Sequence, residues 1–145
     1  IKNYNSYIFY YSKSLSNKNN KVLQKFYSSF SKLKKCRTED EIDKLTALYG
    51  SGPAYYVFYN KILRESFIKM GYSKKDSKEY TNDLLEGTTT LIKEYNDLDK
   101  IIDAVASKGG TTEAALLDFK KNKINKMFLK GIISAYKKSK NIVKK

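Results

Sequence analysis

Two glycines precede two threonines in residues 107–112, which read Ser-Lys-Gly-Gly-Thr-Thr and stand before a stretch of helical periodicity. Consecutive glycines let a ligand approach the main chain closely. Free N–H groups at a helix N-terminus favour an anion such as a carboxylate. Thr111 or Thr112 could cap the helix, as threonine usually does there, or turn its hydroxyl towards a ligand. The segment therefore predicts a plain helix cap or a carboxylate site.

A second glycine-rich loop precedes a helix near position 50. Residues 50–55 read Gly-Ser-Gly-Pro-Ala-Tyr. The glycines permit backbone angles that are closed to other residues, and proline is well suited to the first turn of a helix. This pattern predicts a helix-helix junction, with a functional role as the alternative.

The composition excludes several kinds of chemistry. The chain has 145 residues, no histidine and a single cysteine, Cys36. Zinc sites built from cysteine and histidine, and catalytic triads with a histidine base, are therefore excluded. No G-x-G-x-x-G motif is present, so we do not expect this chain alone to bind a dinucleotide. No metal site is predicted.

Positive charge is concentrated at both ends of the chain. Residues 1–38 carry nine Lys/Arg and no acid, residues 39–118 carry ten and all fifteen acids, and residues 119–145 carry ten lysines and no acid. Such blocks would attract nucleic acid. Arginine binds phosphate and guanine better than lysine because its guanidinium donates two parallel hydrogen bonds, but only Arg37 and Arg64 are arginine. Solvated helix faces therefore explain the lysines more simply. Nucleic-acid binding stays a minor alternative.

The loops need elements to position them, and the front of the chain predicts β-α-β. Residues 6–11 are aromatic and β-branched and predict a strand. We expect a loop over 12–20, a helix over 21–33 and a short strand over 34–38.

Beyond Thr38 the pattern is helical throughout. Thr38 with Glu41 forms a capping box, and Gly71 stands at a C-cap position. Predicted helices cover about 39–49, 53–70, 73–95, 98–106, 111–119 and 122–142. Several are apolar on more than one face and need partners on several sides. A homodimer with an extensive apolar interface and a compact monomeric bundle remain equally open.

The two loops together resemble the C-terminal domain of pyrroline-5-carboxylate reductase. Residues 46–55 (TALYGSGPAY) match the family pattern T-A-L-S-G-S-G-P-A-Y at nine of ten positions, and residues 105–116 (VASKGGTTEAAL) resemble V-x-S-P-G-G-T-T-x-x-A-L. Gly71, Gly87 and residues 135–139 (AYKKS) resemble further family positions. The match runs from about Glu39 to Ile142.

This resemblance implies a mainly α fold, an interlocking dimeric helical bundle preceded by a β-α-β remnant of a Rossmann domain. Residues 1–38 would be the remnant of the nucleotide-binding domain, and 39–145 the helical dimerisation and substrate-binding domain. The family, an oxidoreductase of proline biosynthesis, reduces 1-pyrroline-5-carboxylate to L-proline with NADPH or NADH. The resemblance implies a homodimer and allows a larger ring of dimers. No membrane is expected, because no apolar run approaches the roughly 18 residues that a membrane span needs.

The resemblance also implies roles for particular residues. Amides near Gly110 to Thr112 would hold the substrate carboxylate, and the Thr112 hydroxyl would act on the ring nitrogen. The expected substrate-binding residues are Ser107, Gly109, Gly110, Thr111 and Thr112, and the structural loop is Gly50, Ser51, Gly52 and Pro53.

The sequence departs from the family pattern at a few positions. Lys108 replaces a proline and would loosen the substrate loop. Tyr49 replaces a small residue, and we expect it to crowd the junction. Because no signal peptide and no initial methionine are present, we expect a piece of a longer cytoplasmic chain. A truncated, non-catalytic dimerising remnant is the alternative function.

Overall fold

The computed structural model describes residues 7–11, 13, 15–29, 31–95 and 97–142. Two strands and seven helices form in these ranges. Their bounds are β1 Tyr7–Tyr10, α1 Asn17–Tyr27, β2 Lys32–Lys35, α2 Glu39–Leu45, a π-helical turn Thr46–Gly50, α3 Gly52–Lys69, α4 Lys74–Glu94, α5 Leu98–Val105, α6 Thr111–Lys121 and α7 Ile124–Ile142. The predicted mainly α fold with a short β-α-β start is confirmed.

β1 lies within the predicted first strand, but the helix and the second strand lie nearer the N-terminus than predicted, and α1 ends at Tyr27 instead of continuing to position 33. β1 and β2 pair in parallel, from Tyr7 opposite Lys32 to Tyr10 opposite Lys35. Ser16 caps α1 by accepting a hydrogen bond from the Asn19 amide at 3.3 Å. The prediction of a loop over 12–20 is therefore wrong from Asn17 onwards, and the second strand begins two residues early. Position 6 of the predicted first strand lies outside the described residues.

Contacts divide the chain into two compact units. The first takes in Ile1–Ser51 and Gly131–Lys145, and the second is Gly52–Lys130. The domain boundary expected between residues 38 and 39 stays a prediction.

In the first unit, the C-terminal part of α7 is tied to α2 by a polar clasp, formed by Asp40, Asp43, Tyr136, Ser139 and Lys140. The Tyr136 hydroxyl and the Lys140 ammonium both donate to the Asp40 carboxylate, the latter at 3.0 Å, and the Ser139 hydroxyl donates to Asp43 at 2.6 Å. Hydrogen bonds from Lys44, Tyr136 and Lys140 hold the pKa of the Asp40 carboxyl well below its usual range. The clasp therefore depends on an ionised Asp40.

Tyr49 packs against β1 instead of crowding the junction. Its hydroxyl accepts a hydrogen bond from the Tyr7 amide at 3.1 Å. Its ring meets those of Tyr7 and Phe9 edge to face, with centroids 5.8 and 5.2 Å apart. Aromatic pairs prefer this geometry. The expected crowding of the junction by Tyr49 is wrong, because its ring packs against the aromatic side chains of β1.

In the second unit, α3 and α4 form a helical hairpin. Gly71 has φ +97°, and the amides of Gly71 and Tyr72 donate to the carbonyls of Ile68 and Phe67. This is the Schellman arrangement that glycine permits at a helix end. The Ser73 hydroxyl then accepts from the Asp76 amide at 3.0 Å and starts α4. Both signals confirm the predicted boundary.

Many large apolar side chains of the helices lie exposed in the single chain. Tyr56 and Val57 on α3 are 69% and 68% exposed, and Leu84, Leu85, Met127 and Leu129 are exposed on α4 and α7. Among the described residues, only Cys36 and Ala47 are buried apolar residues. No helix in the described ranges is long and apolar enough to cross a membrane.

Candidate functional site

The first turn of α6 lacks a side-chain cap. Gly110 is the N-cap, with φ −83° and ψ 172°, and no side chain accepts a hydrogen bond from the first turn. Thr111 and Thr112 are the first two residues of the helix. The alternative that either threonine caps the helix is therefore wrong, because Thr111 and Thr112 lie one and two positions after the N-cap.

The geometry of the turn explains both glycines. Gly109 has φ +74°, a backbone conformation that favours glycine. The Gly110 amide donates to the Ser107 carbonyl oxygen at 2.9 Å. A Cβ at position 110 would lie 2.9 Å from that same oxygen and 2.6 Å from the Ser107 Oγ. The glycine pair therefore folds the main chain tightly ahead of the helix.

This folding leaves main-chain donors at the start of α6. The amide of Ala114 makes the first helical hydrogen bond, to the Gly110 carbonyl at 3.1 Å. The amides of residues 111–113 precede that bond and have no acceptor within the helix. They lie at the positive end of the helix dipole. The turn can therefore accept a carboxylate.

The side chains around these amides differ in exposure. Ser107, Lys108 and Thr111 are exposed, whereas Thr112 is half-buried. Within the described ranges, the Thr112 hydroxyl makes no hydrogen bond. It is therefore available to a ligand held at the amides.

Glu113 also belongs to the turn, although the sequence reasoning missed it. Its Oε2 accepts a hydrogen bond from the Gly109 amide at 2.7 Å. In a capping box a glutamate at the third helical position accepts from the N-cap amide; Glu113 has that position but accepts from the residue before the N-cap. The position of Glu113, three residues after the N-cap Gly110, was the sequence signal that could have identified this contact. Glu113 places a negative charge beside the proposed anion site.

The loop around Gly50 has a different structure. The Ser51 amide and hydroxyl both donate to the Thr46 carbonyl, at 3.0 and 3.1 Å, which closes the π-helical turn. Pro53 is the second residue of α3. Neither Gly50 nor Gly52 has a positive φ, and a Cβ at either would meet nothing closer than 4.0 Å. Gly50 and Gly52 therefore do not use the backbone angles that only glycine permits.

The described residues do not fit a dinucleotide. The first βα turn of a Rossmann domain carries a glycine-rich G-x-G-x-x-G motif, which this sequence lacks, and the connection from β1 to α1 contains no glycine between residues 11 and 16. Ser16 instead occupies the start of α1 as its cap. Over the described ranges, no group of three or more His, Cys, Asp or Glu side chains could hold a metal ion.

Comparisons with known proteins point to one family. A sequence model described as Pyrroline-5-carboxylate reductase dimerisation matches residues 39–142. The pyrroline-5-carboxylate reductase of Kluyveromyces lactis is 32% identical over 108 residues, which cover 74% of this chain and 38% of that protein. Pyrroline-5-carboxylate reductase 2 of Bacillus subtilis is 30% identical over 105 residues, again with 38% of its length covered. The chain thus spans less than half the length of these relatives.

Solved structures show the same fold. A pyrroline carboxylate reductase of Plasmodium falciparum, solved with NADP bound, has a TM-score of 0.79 and 23% identity over 92% of this chain and 52% of that one. The 1-pyrroline-5-carboxylate reductase of Streptococcus pyogenes has a TM-score of 0.79 and 24% identity, covering 90% and 50%. At 92% and 90% of the chain, these likenesses extend beyond residues 39–142 into the β-α-β start.

Proposed function

The chain belongs to the pyrroline-5-carboxylate reductase family, and on this premise we propose that it is the dimerisation and substrate-binding part of such an enzyme. The reaction proposed is the reduction of 1-pyrroline-5-carboxylate to L-proline, an oxidoreductase step of proline biosynthesis. A cytoplasmic location stays a prediction from the sequence.

The observation that carries this proposal is the uncapped first turn of α6. Gly109 and Gly110 fold the chain so that the amides of residues 111–113 precede the first helical bond. Oriented amides at a helix N-terminus recognise a carboxylate. Both 1-pyrroline-5-carboxylate and proline carry a carboxylate on a small ring, which these donors would hold, with Ser107 and Thr111 flanking it.

The proposed catalytic residue is Thr112. Reduction of a ring C=N bond adds a hydride to carbon and leaves a proton on nitrogen, so that the nitrogen needs a hydrogen-bonding group beside it. Thr112 is half-buried and is one of the three residues whose amides would hold the carboxylate, and its hydroxyl can both donate and accept a hydrogen bond. We propose that it orients the ring nitrogen and relays its proton.

The nucleotide part of the reaction lies outside the described residues. In the family, NADPH or NADH supplies the hydride. Because the sequence contains no G-x-G-x-x-G motif and so does not fit a dinucleotide, this chain alone is expected to bind substrate without reducing it. The non-catalytic binding module is the second candidate function, and this misfit is the observation in its favour.

We propose that the partner is a second copy of the chain. The apolar groove between α3 and α4 has a volume of about 670 Å³, and its lining includes Tyr56, Leu84 and Ile92. These side chains are exposed in the single chain. Covering large apolar faces is favourable by roughly 25 cal/mol per Å². The structural loop of Gly50, Ser51, Gly52 and Pro53 would serve this assembly by joining α2 to α3.

Calorimetric titration with L-proline tests the binding proposal. The wild-type chain should bind L-proline, and Thr112→Val should weaken binding about three- to tenfold, the value of one hydrogen bond. The matched control Thr90→Val removes a hydroxyl that donates to the Glu86 carbonyl on α4, and it should leave the affinity unchanged. Absence of binding at millimolar L-proline would contradict the proposed function. An unchanged affinity in Thr112→Val would remove its hydroxyl from the site.

A further inference from the structure

We propose that Glu113 makes the first turn of α6 discriminate ligands by the charge on their ring. A cyclic carboxylate whose ring nitrogen is cationic would be accepted, and a cyclic carboxylate without a cation would be disfavoured. This inference rests on the proposed function, because it assigns a specificity-determining residue to the same carboxylate site.

The position of Glu113 is fixed by a main-chain contact. Its Oε2 lies 2.7 Å from the Gly109 nitrogen, which donates the hydrogen bond. The contact spans the first turn from the third helical residue back to the residue before the N-cap. Glu113 is half-buried. The carboxylate is therefore held beside the amides that would receive the ligand.

The Glu113 carboxylate has no cationic partner within the part of the chain that the structure describes. Among the residues that the structure describes, Glu113 takes part in no ion pair, and the neighbouring Lys108 is exposed and forms none. A ligand carboxylate bound at the same turn would face a second negative charge a few ångströms away. Like charges at that spacing repel, even near the surface.

A ligand can remove this repulsion with its own positive charge. L-Proline is a zwitterion with a cationic ring nitrogen next to its carboxylate, so its net charge is zero. Tetrahydrofuran-2-carboxylate has the same ring size and carboxylate, but an uncharged oxygen replaces the nitrogen. Glu113 would attract the ring charge of the first and repel the net charge of the second. The amides supply affinity for both ligands, and Glu113 supplies the difference in affinity between them.

Dissociation constants for these two ligands, measured with the full chain, test the proposal. Glu113→Gln keeps an acceptor for the Gly109 amide but removes the charge. Wild type should prefer L-proline, and this preference should fall about three- to tenfold in Glu113→Gln, as expected for charges a few ångströms apart near water. The matched control Glu86→Gln, which removes an exposed charge from α4, should retain the preference.

A second measurement needs no variant. In 1 M salt the Debye length is about 3 Å, so the wild-type preference should shrink towards that of Glu113→Gln. A preference that is the same in wild type and Glu113→Gln, or that does not respond to salt, would overturn the role of Glu113 while leaving the carboxylate site intact. Failure of both proteins to bind L-proline would overturn the proposed function, and this inference with it.

Discussion

Replacing Gly110 by alanine should destabilise the turn before α6, because the added methyl group has no room there. The new Cβ would lie 2.6 Å from the Ser107 Oγ and 2.9 Å from the Ser107 carbonyl oxygen. The hydroxyl can rotate away at little cost, but the carbonyl is main chain and accepts the Gly110 amide at 2.9 Å. Relief therefore requires the turn to open and this hydrogen bond to lengthen or break.

The size of the effect follows from these two contacts. Losing one main-chain hydrogen bond costs about 0.5–1.5 kcal/mol, and forcing a methyl group into an occupied space costs about 1–3 kcal/mol. Opening the turn relieves the steric clash but loses the hydrogen bond, so the two penalties do not add in full. We therefore expect Gly110→Ala to lower the free energy of unfolding by about 1–3 kcal/mol. Opening the turn also displaces the amides of residues 111–113, so the affinity for L-proline should fall with it.

Urea unfolding followed by circular dichroism measures the loss. Lys108→Ala alters an exposed neighbour in the same turn and should stay within about 0.5 kcal/mol of wild type. In a Ser107→Ala background the hydroxyl conflict disappears but the carbonyl conflict stays, so most of the loss should persist. A Gly110→Ala protein with wild-type stability and wild-type L-proline affinity would refute the steric reasoning.

Three further perturbations test other parts of the structure. Gly71→Ala places a side chain at φ +97° in open space, so backbone strain alone should lower the free energy of unfolding by about 1–2 kcal/mol. Urea unfolding measures this loss, and unchanged stability would contradict the Schellman ending of α3. Because the pKa of Asp40 is lowered in the folded state, its ionised carboxylate stabilises the fold at pH values above its unfolded pKa of about 3.9. This stabilisation is lost progressively as the pH falls from there towards the folded-state pKa. Wild type should therefore lose more of its thermal stability between pH 7 and pH 3 than Asp40→Asn does. The control Asp103→Asn should behave as wild type. Identical pH profiles in wild type and Asp40→Asn would show that the clasp does not contribute to stability. Leu85→Lys puts a charge in the α3–α4 groove and should shift the sedimentation equilibrium from dimer to monomer, whereas a wild-type chain that is already monomeric would contradict the proposed homodimer.

The sequence predicts those features that depend on a few neighbouring residues. Gly71 and Ser73 mark the end of α3 and the start of α4 because a C-cap glycine and an N-cap serine act on adjacent amides. The glycine pair before Thr111 identifies the start of α6 for the same reason. The start of α1 was missed because residues 17–20 are polar, and the cap at Ser16 was not recognised.

Contacts between distant residues could not be predicted in this way. Tyr136 and Asp40 are 96 positions apart, and Tyr49 and Tyr7 are 42 apart. Nothing in either local pattern identifies the partner, since both tyrosines also suit a plain helical face. Glu113 is the opposite case, since its contact with Gly109 is local. It was overlooked because the family pattern leaves that position unspecified.

The carboxylate site at the start of α6 is the central claim, and an amide-resolved NMR titration tests it most directly. With the nitrogen-15 labelled chain and increasing L-proline, the amide signals of Thr111, Thr112 and Glu113 should move together and saturate. L-Prolinamide, which lacks the carboxylate, should leave them in place. Signals at these three positions that do not respond to L-proline, or that respond equally to L-prolinamide, would contradict the claim.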